Sequence, residues 1–304
     1  MDEPLPLYAV WVRTAVLDLE SYLSLVRPDV PRREWQRLFA AGRIRSRGRP
    51  IGKAEAPGAL PDLTVAGGFG DVDRLPLPER TALSILYEDD LVTVVAKPAG
   101  LSTIPGRGSD DSCLAELVAR ELESRSESTP DRWTRPRIVH RLDRSTSGLL
   151  IVARTPEAER RLGQDFEGAR VRKEYIAVVA GVVEAARIVV DCPLDERADG
   201  RVRAGIAGKH ASTTFDVRER FRSNTLVVAR PRTGRRHQIR VHAWCAGHPI
   251  LGDDRYHLGQ PSAEPLALHA HRYTLPADWP GECREFTCPV PAAMLGRIAN
   301  LRSW

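Results

Sequence analysis

The segment Ile138-Val-His-Arg-Leu-Asp-Arg-Ser-Thr-Ser-Gly-Leu-Leu-Ile-Val-Ala153 sets one carboxylate, Asp143, between two guanidinium groups, Arg141 and Arg144. A Ser/Thr/Gly turn follows, and then the apolar run Leu149 to Ala153, which reads as a buried strand. A carboxylate on a loop beside a buried strand can serve as a nucleophile or as a general base, and a neighbouring cation favours its charged form. A surface ion pair beside a β-turn would use the same Arg-Leu-Asp-Arg string, so these four residues alone do not decide for chemistry. Six of the eight histidines fall between His237 and His271, namely His237, His242, His248, His257, His269 and His271. His269-Ala-His271 has strand spacing and His237 precedes His242 by five, which raises a metal-dependent hydrolase as an alternative. No H-E-x-x-H is present and no carboxylate recurs at a ligand offset, so no metal is expected.

These groups need elements to hold them. Leu17, Leu19, Tyr22, Leu23 and Val26 recur at helical spacing up to Pro28, and a second helix is predicted from about Arg32 to Ala41, with Trp35, Leu38 and Phe39 apolar and Gly42 as its C-terminal cap. Arg32, Arg33, Arg37, Arg43, Arg45, Arg47 and Arg49 form a basic cluster opposed by Glu34 alone, which reads either as a solvated face or as a clamp on an RNA backbone. Residues 1–49 are thus a candidate small RNA-binding module. Residues 50–80 are rich in Pro and Gly and read mostly as linker, with strand character only at Leu63-Thr-Val65. A larger domain is predicted over 81–304. In it, Ile85-Leu-Tyr-Glu-Asp-Asp90 leads to a strand over Leu91 to Ala96, broken by Lys97-Pro-Ala-Gly-Leu101. Asp111 or Ser112 caps a helix with Leu114, Leu117, Val118 and Leu122 on one face. Thr155-Pro156 opens another helix, burying Ala158, Leu162 and Phe166. Strands follow at Val171–Gly181, Thr213–Val217 and Thr225–Ala229, and a helix is predicted from about Arg235 to Ala246.

Composition narrows the class. With 304 residues, 42% hydrophobic and 28% charged, the chain is an ordinary globular protein large enough for a main domain and a small one. Net charge is +5, and the basic residues are arginines except Lys53, Lys97, Lys173 and Lys209, which suits bidentate contact with phosphates. The five cysteines form no C-x-x-C pair, and no apolar run approaches membrane-spanning length. A reducing cytoplasm, no membrane association and a monomeric state are expected.

Five pieces in collinear order carry more information than any one of them. They are Y-E-D-D-L-V-T-V-V-A-K-P-A-G-L, H-R-L-D-R-S-T-S-G-L-L, K-E-Y-I-A-V-V-A-G, T-G-R-R-H-Q-I-R-V-H followed by G-H-P-I-L-G-D-D-R-Y, and L-A-L-H-A. The set, over about residues 81–275, resembles the pseudouridine synthases of the large-subunit ribosomal RNA type. The resemblance implies an α+β fold with a mixed, largely antiparallel sheet, flanking helices and a central basic cleft. It implies a cofactor-free isomerase turning uridine into pseudouridine in structured RNA, with ribosomal RNA the first substrate expected and transfer RNA the second. Asp143 matches the catalytic aspartate, Arg240 its arginine partner, and Tyr175 the active-site tyrosine. Arg141 matches the arginine that fills the gap left by a flipped nucleotide, and His140, Arg235 and His237 fall among the substrate-facing positions. A protein that keeps the fold and binds RNA without catalysis is the rival that the presence of Asp143, Tyr175 and Arg240 argues against.

Overall fold

The computed structural model describes residues 19, 20, 23, 30–46, 48–53, 64–69, 72–74, 84–105, 113–124, 136–197, 201–257 and 264–303. They fall into two compact units, residues 1–84 with 105–112, and residues 85–104 with 113–304.

In the first unit, Leu19, Glu20 and Leu23 are helical, while Leu17, Tyr22, Val26 and Pro28 of the first expected helix lie outside the described residues. Helix α1 (Arg32–Ala40) buries Trp35 and Leu38. Gly42 follows its end at φ +62°, a conformation that costs glycine little. Strand β1 (Ile44–Ser46) pairs antiparallel with β2 (Arg49–Pro50) and β3 (Thr64–Phe69), and β3 with β4 (Val72–Arg74). Strands β3 and β4 thus lie within residues 50–80, beyond the strand character expected at Leu63-Thr-Val65. The start of β3 falls where strand character was expected, but Ala-Gly-Gly lacks the alternation that marks a half-buried strand, so its extent shows only in the structure. The arginine cluster also meets more than Glu34. Arg32 pairs with buried Glu20, Arg43 Nε donates to the Ala66 carbonyl, and Arg45 Nε donates to that of Gly42.

The second unit holds β5 (Ile85–Glu88), β6 (Val92–Lys97), α2 (Leu114–Ser124), β7 (Arg137–Ile138), β8 (Ser147–Ala153), α3 (Pro156–Glu167), β9 (Arg172–Ala180), β10 (Arg187–Asp191), β11 (Leu194–Glu196), β12 (Val202–Ala204), β13 (Ser212–Arg220), β14 (Asn224–Pro231), α4 (Gln238–Cys245), β15 (Leu268–Thr274), β16 (Glu285–Thr287) and α5 (Ala292–Arg302). One sheet runs β10-β13-β14-β9-β15-β8-β6-β5, with β7 on β8 and β16 on β15, and β11-β12 is a separate hairpin. The β8–β15 pairing is parallel and the other pairings in this sheet are antiparallel, so the expected mixed, largely antiparallel sheet with flanking helices is borne out. No helix among the described residues is long and apolar enough to cross a membrane.

Local chemistry explains the elements nearest the middle of the sheet. The run Leu149 to Ala153 is buried throughout, as expected of a strand covered on both faces. Helix α3 starts as predicted, with Thr155 Oγ1 accepting the Ala158 amide and Pro156 in the first turn. Its buried face differs from expectation at one place. Asp165 is buried, paired with Arg161 and Arg170, whereas Phe166 is only half-buried because its ring stacks on His140. The Asp111 or Ser112 cap of α2 lies outside the described residues. Helix α4 begins at Gln238 rather than near Arg235, since His237 takes the left-handed φ of +53° and closes a turn first.

Strand β15 lies between β8 and β9, with Ala270 opposite Gly148 on one side and Tyr175 on the other. Gly148 has φ +124°, and a Cβ there would stand 2.7 Å from the Ala270 Cα and closer still to its nitrogen and oxygen. A side chain at 148 therefore conflicts with both the backbone conformation and the strand contact. Gly148→Val is expected to destabilise the protein by about 3 kcal/mol or more. Urea denaturation checks this, and an unchanged midpoint would show that the two strands separate without cost.

Candidate active site

Asp143, Tyr175, Arg240, Arg141, His140, Arg235 and His237 all line one cleft of about 620 Å³, as the sequence led us to expect. That volume is in the range of sites that take one small molecule, with room to spare for a single pyrimidine base. Val139, Phe166, Lys173, Thr233, Gln238 and Tyr273 complete much of its wall.

The Asp143 loop is clamped from the Lys97–Thr103 segment. Thr103 Oγ1 donates to the Leu142 carbonyl at 2.9 Å and accepts the Leu142 amide at 3.1 Å. The Gly100 amide donates to the Arg144 carbonyl at 2.7 Å, and Arg144 Nε donates back to the Gly100 carbonyl at 2.8 Å. Buried Lys97 adds a third tie, its Nζ donating to the carbonyls of Pro98, Leu101 and Arg144 at 2.9, 2.8 and 3.3 Å. Burial pushes its pKa down to about 7, with Asp143 pulling upward and Arg144 downward. The turn is closed by the Thr146 amide on the Asp143 carbonyl at 3.1 Å. Arg144, which had no role from sequence, thus fixes the loop, whereas Arg141 is exposed at the cleft.

Arg240 is 3% exposed and meets three carboxylates. Its Nε and Nη2 donate to Asp253 at 2.7 Å each, and Nη2 donates to Asp254 at 2.8 Å. Nη1 stands 3.6 Å from Asp143 Oδ2, an ion pair longer than a hydrogen bond. Burial by itself lowers an arginine's pKa, but Asp253, Asp143 and Asp254 more than offset it and raise that of Arg240. Asp253 sits below the usual carboxylate range despite its burial, because Arg240 and the amides of Tyr256 and Arg255 bond to it. Sequence reasoning assigned Asp253 no role. The signal was the acid pair in G-D-D-R-Y, placed just after an apolar Pro-Ile-Leu turn.

Tyr175 and Tyr273 share a hydrogen bond of 2.7 Å between their hydroxyls. Tyr273 is fully buried and Tyr175 Oη is its hydroxyl's sole partner among the described residues, so Tyr273 donates and the Tyr175 hydrogen is left for the cleft. Burial, helped by the charge of Asp143 and opposed by the Tyr273 bond, raises the Tyr175 pKa. Tyr175 is thus a neutral phenol at physiological pH. His140 contributes a wall rather than a charge. Its Nε2 accepts the Ile151 amide at 2.9 Å and its ring stacks on Phe166 at 4.3 Å, and burial pushes its pKa down to about 3.

The turn carrying Arg235 and His237 is stapled by Gln238. Its Oε1 accepts from Thr233 Oγ1 at 2.6 Å and the Arg235 amide at 3.0 Å, while Nε2 donates to the Ser212 carbonyl and Thr213 Oγ1. Arg235 is exposed, its Nε on the His210 carbonyl. The clustered histidines of the sequence go to different partners, except His269 and His271, which stay together. His242 bonds Thr213 and the Cys192 carbonyl, His248 the Ala180 carbonyl, His269 Ser147 and the Cys288 carbonyl, and His271 that same carbonyl. Among the described residues no three His, Cys, Asp or Glu side chains are grouped to hold a metal ion.

Two outcomes test this arrangement. Asp253→Asn removes the charge that holds buried Arg240, and a loss of about 3–5 kcal/mol in urea denaturation is expected; a wild-type midpoint would mean that Asp254 and Asp143 suffice. His140, His237 and His269 all have pKa values lowered by burial, to about 3, 4 and 4. The unfolded chain binds more protons than the folded one below the ordinary histidine value of ~6.5, so stability is full above that pH and falls as pH drops toward 4. Unfolding midpoints measured along a pH series would check the slope, and His140→Phe should flatten it.

Comparisons with known proteins identify the family. A family model described as RNA pseudouridylate synthase matches residues 91–244. The chain is 35% identical to ribosomal large subunit pseudouridine synthase D of Nitrosomonas europaea over 255 residues, covering 79% of this chain and 72% of that protein. It is 38% identical to the dual-specificity RNA pseudouridine synthase of Escherichia coli K12 over 223 residues, 70% of this chain and 95% of that one. Among solved structures, human RNA pseudouridylate synthase domain containing 4 superposes with a TM-score of 0.62 at 26% identity, covering 72% of this chain and 93% of the human one. With its matched segment, its relatives and its fold in agreement, the chain belongs to the RNA pseudouridylate synthase family.

Proposed function

We propose that this protein isomerises uridine to pseudouridine in the RNA of the large ribosomal subunit. The observation that carries the reading is the meeting of Asp143, Tyr175 and Arg240 in one cleft sized for a single flipped base. The name of the Nitrosomonas relative supports the ribosomal substrate. The dual-specificity name of the Escherichia coli relative favours a second RNA, and transfer RNA is the alternative substrate.

The reaction is atom-balanced and calls for no cofactor. The bond from C1′ to uracil N1 breaks and its electron pair leaves with the base. The base turns within the cleft and C5 bonds to C1′. The C5 hydrogen is lost as a proton, and N1 gains one. Asp143 acts on the sugar, by attack at C1′ or as the base that assists glycal formation. Its loop is held rigidly, while Arg240 supplies positive charge without a direct hydrogen bond to it. Tyr175 offers its ring to stack on the uracil and its hydroxyl to assist proton movement. Exposed Arg141 takes the place of the flipped nucleotide, whose unstacking costs a few kcal/mol. Exposed Arg235 grips phosphate, and residues 1–49 add backbone contacts through exposed arginines such as Arg33 and Arg49. The working setting is a monomer in the cytoplasm.

Asp143→Ala is expected to lower pseudouridine formation by ~10⁴-fold or more while RNA binding persists. Single-turnover conversion of a ribosomal RNA fragment, with a filter-binding measurement alongside, checks both parts. Residual activity near wild type would exclude Asp143 as the reacting group.

A further inference from the structure

His237 is a non-glycine residue held at φ +53°, an unusual conformation that tends to persist where a site needs it. Its Nδ1 lies 2.8 Å from Tyr256 Oη, with the two rings edge to face at 5.6 Å. The same hydroxyl lies 3.2 Å from the Val202 amide nitrogen. An amide N–H only donates, so Tyr256 accepts there. Its own hydrogen then has a single acceptor among the described residues, His237 Nδ1. The reverse arrangement, with Nδ1–H donating, would leave a buried hydroxyl hydrogen without an acceptor. The proton of the neutral ring is therefore on Nε2. This nitrogen has no hydrogen-bond partner among the described residues, and the ring lines the cleft that holds Asp143. Arg240 stacks over the other side of the relay, 5.3 Å from the Tyr256 ring. Burial, against the pull of Asp143 and with the push of Arg240, Arg236 and Arg255, lowers the His237 pKa to about 4. The ring is uncharged under physiological conditions.

Resting on the reading above, we propose that His237 is an uncharged Nε2–H donor to a carbonyl oxygen of the detached pyrimidine, fixed in that tautomer by Tyr256. When the N1–C1′ bond breaks, the electron pair leaves with uracil, and its negative charge spreads over N1 and the two carbonyl oxygens. A preorganised neutral donor stabilises that charge and keeps its own proton throughout. An imidazolium at the same place would pair with Asp143 and weaken the group that must react. Tyr256 is the positioning residue of the pair, since it acts through His237.

Nitrogen-15 NMR of the full chain labelled at histidine reads the tautomer without RNA. The expected spectrum shows His237 with bare Nδ1 and protonated Nε2, and Tyr256→Phe converts it to a tautomer mixture. An Nδ1–H tautomer in the wild type overturns the proposal. In single-turnover assays His237→Ala should lower the rate by about 10²-fold, with His237→Gln recovering part of it through its amide N–H. Equal losses in the two variants, or no loss in His237→Ala, also overturn it. A wild-type protein that converts no uridine but shows the expected tautomer would sink the functional reading, leaving the Tyr256–His237 relay intact.

Discussion

One buried guanidinium sets the electrostatics of the cleft. Arg240 is shut away from water and so needs its charge matched. Asp253 supplies the match with two parallel hydrogen bonds, the strongest geometry available to an arginine. Asp143 receives what is left, a longer ion pair from the third nitrogen. A direct bidentate bond to Asp143 would occupy the oxygens that the proposed reaction needs. Asp253 prevents that by holding the guanidinium back, and it is itself held by the amides of Arg255 and Tyr256. The same short turn therefore fixes the cation and, through the Tyr256 hydroxyl, the orientation of His237.

Asp143 is held with matching rigidity from the opposite side of the cleft. Two reciprocal hydrogen-bond pairs, Thr103 with Leu142 and Gly100 with Arg144, lock the residues that flank it. Lys97 resembles an ionic residue in sequence, yet its three partners are all carbonyl oxygens. Rigidity of this kind keeps the Asp143 carboxylate in place while leaving its oxygens facing the cleft.

Much of this was legible in the sequence where the signal is local. The apolar run after Asp143 marked β8, and Thr155-Pro156 marked the start of α3. The seven candidate site residues share a cleft because their motifs follow one another in the order of a known family. What was not legible depends on pairing across long separations. Asp253 gives no local hint of which arginine it binds. Phe166 has the spacing of a core residue, and only the stacked His140 turns it to the cleft wall. Strand β3 has glycines where alternation would have shown it. The left-handed backbone at His237 shortens α4 by a turn, and nothing in Arg-Arg-His-Gln announces it.

The position of β15 has a consequence for how the protein is made. In the sheet order, β8, which follows the Asp143 loop, and β9, which carries Tyr175, are joined by this later strand. A chain emerging from the ribosome leaves one edge of β9, and the start of β8 at Ser147 and Gly148, with free amides and carbonyls until residues 268–274 arrive. Chains that stop short of residue 268 thus leave a strand edge free to pair with strands of other molecules. Addition of β15 is the step that joins the strand after the Asp143 loop to the strand that carries Tyr175.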